Sequence, residues 1–303
     1  MDRELFFVKF PIIFPIIYGA LIYLFPNYEI YIIFLTILLL AEPHFAATWP
    51  FLLDQVNKNY IDNNKLTFVL VPVTITIACV IGYFFVKNIF LLIFFAANIY
   101  HVTRQSFGVS NLYLKNNQEK KYQEYSIYFF NLIFFILGII RFYLDTSVNN
   151  YLNEILYLIL SLHLINFIFY NIKFNFKNIY TLISGTIIFL PVCFVNNPIH
   201  VIIMGVTMHY SQYLFLTHKI FVNRNKMKFK FIKKYVIYFL IIILYAFLMS
   251  SFSMSKSFNI SILKDLLLIP IIGQMLHFYF DSQLWKFSKE HNRENVLVHI
   301  KHS

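Results

Sequence analysis

Residues 88–108 read NIFLLIFFAANIYHVTRQSFG. Up to Tyr100 the stretch is apolar; His101, Thr103, Arg104, Gln105 and Ser106 then follow almost at once. A helix needs about 20 mainly apolar residues to cross a hydrocarbon core about 30 Å thick. Ionisable and amide side chains inside such a run are costly in lipid, so they turn towards the protein interior and find partners there. The stretch therefore reads as a membrane helix that carries chemistry towards one end.

The rest of the chain repeats the first half of that pattern. Its 303 residues are 59% hydrophobic and only 13% charged, where soluble domains carry about 25% charged residues. Apolar runs of spanning length recur near 6–25, 29–53, 65–86, 88–113, 124–144, 151–172, 178–194, 198–221, 231–250 and 260–286. The expected fold is all-α: a polytopic transmembrane bundle of about ten spans, forming one integral membrane domain over 1–303. The first run has no small-residue cleavage site, so it is expected to be a retained span and not a removed signal.

The formal charge of +11 raises nucleic acid as a partner, but membrane topology accounts for it. Cytoplasmic loops hold an excess of Lys and Arg. Of 25 such residues, Lys87, Arg141, Lys256 and Lys264 fall on one side of the ten-span pattern and Arg104 lies inside a span; all the others fall on the opposite side. That bias puts both termini in the cytoplasm, with no nucleic-acid partner. The expected location is multi-pass in a bacterial inner membrane. Cys79 and Cys193 both lie in apolar runs, which gives neither a disulfide framework nor a CxxC metal motif.

Five of the ten histidines, His44, His101, His163, His209 and His277, lie well inside spans. All five fall on even-numbered spans, which run the same way, and all lie in the half nearer the cytoplasm. Residues three or four apart share a helix face. By that rule His101 has Arg104 and Gln105 on its face, His209 has Gln212 and Tyr213, and His277 has Gln274 and Asp281. His44 has Glu42 close by and Thr48 one turn on. Metal-bound histidines commonly give their second ring N–H to a carboxylate, carbonyl or similar acceptor, so Gln105, Gln212 and Asp281 are placed to orient rings or line a pocket. Arg104 is expected to pair with Asp281 or Glu42. A single intramembrane His is more often an interhelical hydrogen bond than a ligand. That reading is kept for His163, while His44, His101, His209 and His277 form the candidate ligand set. His200 and His218 read as interfacial, and His291, His299 and His302 as solvated tail residues. Trp49 and Trp285 read as interfacial belt residues.

Imidazole ligands suit iron, copper and zinc. A His-rich, carboxylate-poor site inside a membrane favours non-haem iron, Fe2+, with O₂ and an apolar substrate taken from the bilayer; another transition metal or haem is the alternative cofactor. The HxxxH and HxxHH boxes of membrane desaturases are absent. EPHFAATW (42–49), YHVTRQSFG (100–108), MHYSQYL (208–214) and LHFYFDSQLW (276–285) resemble, in order and scatter, the motifs of the Brp/Blh family of membrane β-carotene dioxygenases. Phe45 stands where that family has Gly after the first His, and Tyr213 where it has a further His. The resemblance implies iron held by His44, His101, His209 and His277, and a carotenoid or related isoprenoid substrate. The chain is also similar to bacterial multi-span membrane proteins that share HxxRQ and HxxxD motifs. Arg104, Gln105, Gln212, Tyr213 and Asp281 are the candidate catalytic or supporting residues. Two other readings stay open. One is a transporter with an intramembrane His/Arg/Asp relay, against which the spans lack an obvious Gly- or Pro-broken pair. The other is a haem protein, against which His200 and His209, on one span, stand too close together to ligate a haem as cytochrome b histidine pairs do.

Overall fold

A computed structural model of the chain describes residues 3–52, 55–144, 147–174, 176–225, 231–254 and 266–301. Asp54, Lys256, Lys264 and His302 lie outside the described residues. Helix is the only regular structure among those described. Six helices are long and apolar enough to cross a membrane: Pro26–Ala46, Leu66–Phe85, Asn117–Leu144, Ser147–Lys173, Pro198–Arg224 and Tyr235–Met254. The chain is thus all-helical with the makeup of a multi-pass membrane protein. Of the other expected spans, Lys87–Tyr113 is one helix of 27 residues and Leu268–Leu284 is a helix of 17.

The remaining two expected spans are broken. Near the N-terminus a π-helix, Leu5–Lys9, stops ahead of Pro11, and an α-helix of 12 residues resumes at Ile13–Leu24. Twelve residues rise only about 18 Å. In the region 178–194 an α-helix of 8 residues, Ile179–Thr186, gives way to a 3₁₀ turn at Leu190–Cys193. The expectation of unbroken spans is corrected at these two places. Hydropathy reports how apolar a run is, and it is blind to whether the backbone stays helical through it.

The chain divides into two compact units, Met1–Asn27 with Ile99–Gln212, and Tyr28–Asn98 with Tyr213–Ser303. In the first unit the broken backbone is satisfied by side chains. Ser211 donates to the Phe7 carbonyl at 3.3 Å, Gln212 to the Val8 carbonyl at 2.8 Å and Ser184 to the Lys9 carbonyl at 3.0 Å. Irregular backbone is tolerated at membrane depth only where protein or a wet cavity supplies such partners. Buried Arg141 is held in the same way, donating to the carbonyls of Val192 and Val195 and to the side chains of Asn149 and Asn196. Glu119 accepts from Tyr170 and Asn178, and Gln123 links Ser110, Tyr170 and Thr181. His163 bonds the Ile159 carbonyl at 2.9 Å and packs on Phe130 with ring centroids 3.7 Å apart, the structural role expected of it.

The second unit owes its local shape to prolines. A π-helix at Ile37–Ala41 ends two residues before Pro43, and another at Leu66–Leu70 ends two residues before Pro72. Pro11 follows Lys9 at the same interval. Proline lacks an N–H, and its ring crowds the carbonyl four residues back; widening the ladder by one residue relieves that crowding, and such π segments often mark functional sites. Beyond Pro43, Ala46 and Ala47 are wholly buried against Tyr213, Tyr238 and Ile242. A second core joins Cys79, Tyr83, Phe90 and Phe94 to Leu268 and Ile271. His291 is packed, contrary to its expected solvation: it stacks on Tyr60 at 4.0 Å and bonds Asn57 at 2.8 Å.

Close backbone approach in the first unit gives a direct test. A Cβ on Gly205 would lie 2.3 Å from the Ile188 carbonyl oxygen, whereas one on Gly108 meets nothing within 4 Å. Gly205→Ala is expected to lower stability in detergent by about 1–3 kcal/mol through overpacking. Gly108→Ala is expected to be neutral, or to stabilise by up to about 1 kcal/mol through helix propensity. Equal unfolding temperatures for the two variants would contradict this packing.

Candidate metal centre

The two units each bring candidate residues together. In the first, His101 and His209 are 7% and 1% exposed, and their rings meet edge to face at 5.4 Å. Both sit on long helices, Lys87–Tyr113 and Pro198–Asn225. Gln212, one turn after His209, is buried too, but its amide N–H goes to the Val8 carbonyl. It ties down the broken N-terminal helix, a different job from the ring-orienting one expected. Gln105 is partly buried. Arg104 is exposed, which corrects the expectation of a buried counter-charge for Asp281 or Glu42. Hydropathy places a residue along a helix without saying which way its side chain faces.

In the second unit His44 and His277 are wholly buried, with ring centroids 4.5 Å apart. The Tyr213 ring lies 4.4 Å from His44 and 5.4 Å from His277, and Phe45 packs on His277 at 5.1 Å. Around His277 runs a chain of hydrogen bonds. Thr48 Oγ1 is 2.8 Å from His277 Nδ1 and 2.7 Å from the Tyr213 hydroxyl. Tyr213 donates to Asp281 Oδ1 at 2.7 Å, and Thr48 reaches the same oxygen at 3.3 Å. Asp281 Oδ2 lies 3.5 Å from His277 Nε2, one turn along the same helix. Trp285 packs its ring 5.8 Å from Tyr213, so it walls this group instead of merely marking an interface. Glu42 is 1% exposed, and Ser253 reaches its Oε1 at 3.5 Å. It lies on the Glu42–Ala46 helix with His44.

Thr48 is the residue whose part the sequence does not announce. A threonine in a helix usually returns its hydroxyl to the carbonyl of the preceding turn, as Thr36, Thr74, Thr103, Thr186 and Thr217 do. Thr48 stands just past the end of the Glu42–Ala46 helix, where the chain turns. Its hydroxyl is released from that local bond and serves three tertiary partners. The only trace in the sequence is its place four residues after His44.

Chemically, the second unit offers two buried imidazoles, a carboxylate and two hydroxyls in one group. Imidazole and carboxylate donors fit divalent iron, manganese or zinc, and a hydrogen-bonded Nδ1 is the usual condition of a histidine that ligates through Nε2. The residues present therefore fit a transition metal.

The hydroxyl of Thr48 is expected to matter more than its volume. Thr48→Val keeps the shape but strands buried polar partners, which costs about 1–3 kcal/mol; Thr48→Ser is expected to retain most of the stability. Thermal unfolding in detergent micelles checks this, and a Thr48→Val protein as stable as wild type would refute the role given to that hydroxyl. No family model, curated protein or solved structure matches the chain, so its functional reading rests on the chemistry of these residues.

Proposed function

We propose that the protein is a membrane-embedded, metal-dependent oxygenase that uses non-haem Fe2+ and O₂ on a lipid or isoprenoid substrate, carotenoids included. The ligands are drawn from His44, His101, His209 and His277, the histidines that the span pattern sets at one depth near the cytoplasmic face. Ten crossings and cytoplasmic termini belong to the same proposal, with the first and seventh crossings made by discontinuous segments. The observation that carries the reading is the fixing of His277. A buried hydroxyl chain grips its Nδ1, as a structure must do to present Nε2 to a metal.

Bound ferrous iron would supply the binding and reductive activation of O₂. The chain's own residues do the rest. Tyr213 and Thr48 hold the imidazole and the carboxylate in place. The burial of His44, His277 and Asp281 at 2% exposure or less keeps bulk water away. Phe45 and Phe278, edge to face with His277, join the Phe90 and Phe94 core in an aromatic wall suited to a long apolar or polyene chain. Such a substrate reaches the site from the bilayer, where it is already dissolved.

Purified protein is expected to carry close to one equivalent of iron by elemental analysis, and to consume O₂ when an isoprenoid is supplied in detergent or lipid. His44→Ala and His277→Ala are expected to lose both metal and O₂ uptake while remaining folded. Folded wild-type protein that takes up no transition metal would overturn the reading, and a Soret band would replace it with a haem protein.

A transporter is the second reading, favoured by the broken helices of the first unit. The Leu5–Lys9 and Ile179–Thr186 segments meet where Ser184 bonds the Lys9 carbonyl, and Phe10 packs on Tyr180 at 5.5 Å. Paired breaks of this sort mark binding sites in many transporters. Metal-free protein that moves a solute into proteoliposomes would select this reading.

A further inference from the structure

Glu42 and His44 stand two residues apart on one short helix, and an α-helix turns by about 200° over that interval. Their side chains therefore leave on opposite sides. His44 faces Tyr213 and His277. Glu42 faces the Phe231–Met254 helix, where the Ser253 hydroxyl reaches its Oε1 at 3.5 Å. The carboxyl group thus belongs to a second polar group, apart from the one around His277.

That second group is buried and short of partners. Glu42 is 1% exposed, and among the described residues no N–H, O–H or cationic side chain reaches its Oε2. Ser250 is wholly buried, and its Oγ has no hydrogen-bond partner among the described residues. It precedes Ser253 by three residues, so the two hydroxyls share a helix face. A serine inside a helix usually returns its hydroxyl to the preceding turn, as Ser251 does to the Phe247 carbonyl at 2.8 Å. Ser250 makes no such bond, and Ser253 turns to Glu42. Tyr245, on the same helix, stands within electrostatic reach of Glu42 and beside the Trp49 indole. Gly273 leaves room for its hydroxyl, since a Cβ there would lie 2.7 Å from that oxygen.

An ionised carboxylate at membrane depth needs a counter-charge. A proton on Oε2 would remove the charge but turn an unmade acceptor into an unmade donor, and a buried polar group would still lack its bond. A hard cation takes oxygen ligands, so it satisfies the carboxylate and the hydroxyls together. One carboxylate balances one positive charge. A divalent ion would leave a net charge buried, which is costly away from water.

We propose that Glu42, with Ser253 and Ser250 as neutral oxygen donors, binds one monovalent alkali cation, Na⁺ or K⁺, inside the second unit. The ion is separate from the iron centre proposed above and serves a different end. It ties the Glu42–Ala46 helix to the Phe231–Met254 helix, and so steadies the helix that carries His44.

The test uses full-length protein in detergent, dialysed into choline buffer and titrated separately with NaCl and KCl. Bound ion is measured by elemental analysis after equilibrium dialysis, and stability by thermal unfolding. Wild type is expected to bind one equivalent saturably, and the tighter of the two salts names the ion. Its unfolding temperature should rise with that salt and not with choline, because a ligand of the folded state stabilises it. Glu42→Gln should bind more than about 100-fold more weakly and lose the salt-dependent rise, as removal of a buried charge partner requires. Ser250→Ala should weaken binding about 10-fold, the usual loss of one polar contact to a charge. Wild type that binds neither ion saturably overturns the proposal, as does folded Glu42→Gln with wild-type affinity. Difference infrared spectra of wild type labelled with ¹³C-glutamate, with and without the ion, decide the matter without a variant. A carboxylate shift that follows the label and saturates with bound ion supports the site. A carboxylic-acid band that persists at saturating salt, or the lack of any shift, overturns it.

Discussion

Thr48 has one proton to give and three buried neighbours that compete for it. That constraint organises the second unit. The Thr48 hydroxyl lies within hydrogen-bond reach of His277 Nδ1, the Tyr213 hydroxyl and Asp281 Oδ1, so these side chains are held to one another through it. The turn after the Glu42–Ala46 helix, the burial of Ala46 and Ala47 and the packing of Tyr213 on Trp285 all bring Thr48, Tyr213, Asp281 and His277 into register. A membrane core contains almost no water to replace a missing partner, so an error in any of these positions has nowhere to be absorbed.

The first unit solves a different problem under the same rule. Its backbone leaves the π-helix at Phe10 and the α-helix after Thr186, and the freed carbonyls need donors. Ser184, Ser211 and Gln212 supply them, while Arg141 fills the same need near Val192 and Val195. One candidate site residue, Gln212, thus gives its amide N–H to backbone.

The class of fold was legible because apolar runs longer than a soluble core needs have one physical explanation. His44, His209, His277, Tyr213 and Asp281 stood out because polar groups at membrane depth need a reason to be there, and each is buried. The broken helices are not legible in hydropathy, although Pro11, Pro43 and Pro72 each follow a π segment by two residues. A proline in a span signals a disturbance without saying whether it is a kink, a π bulge or a full break. The facing of Arg104 and the three-way role of Thr48 were out of reach for another reason. Both depend on which helices pack together, and periodicity within one helix carries no such information.

The proposed iron centre is tested most directly by X-ray absorption at the iron K-edge on full-length protein reconstituted with Fe2+ in lipid nanodiscs. It predicts a single shell of nitrogen and oxygen at about 2.0–2.2 Å, the usual reach of imidazole and carboxylate ligands, with the outer-shell scattering of imidazole rings. Protein that retains no iron after reconstitution, or a shell without imidazole scattering, would contradict it.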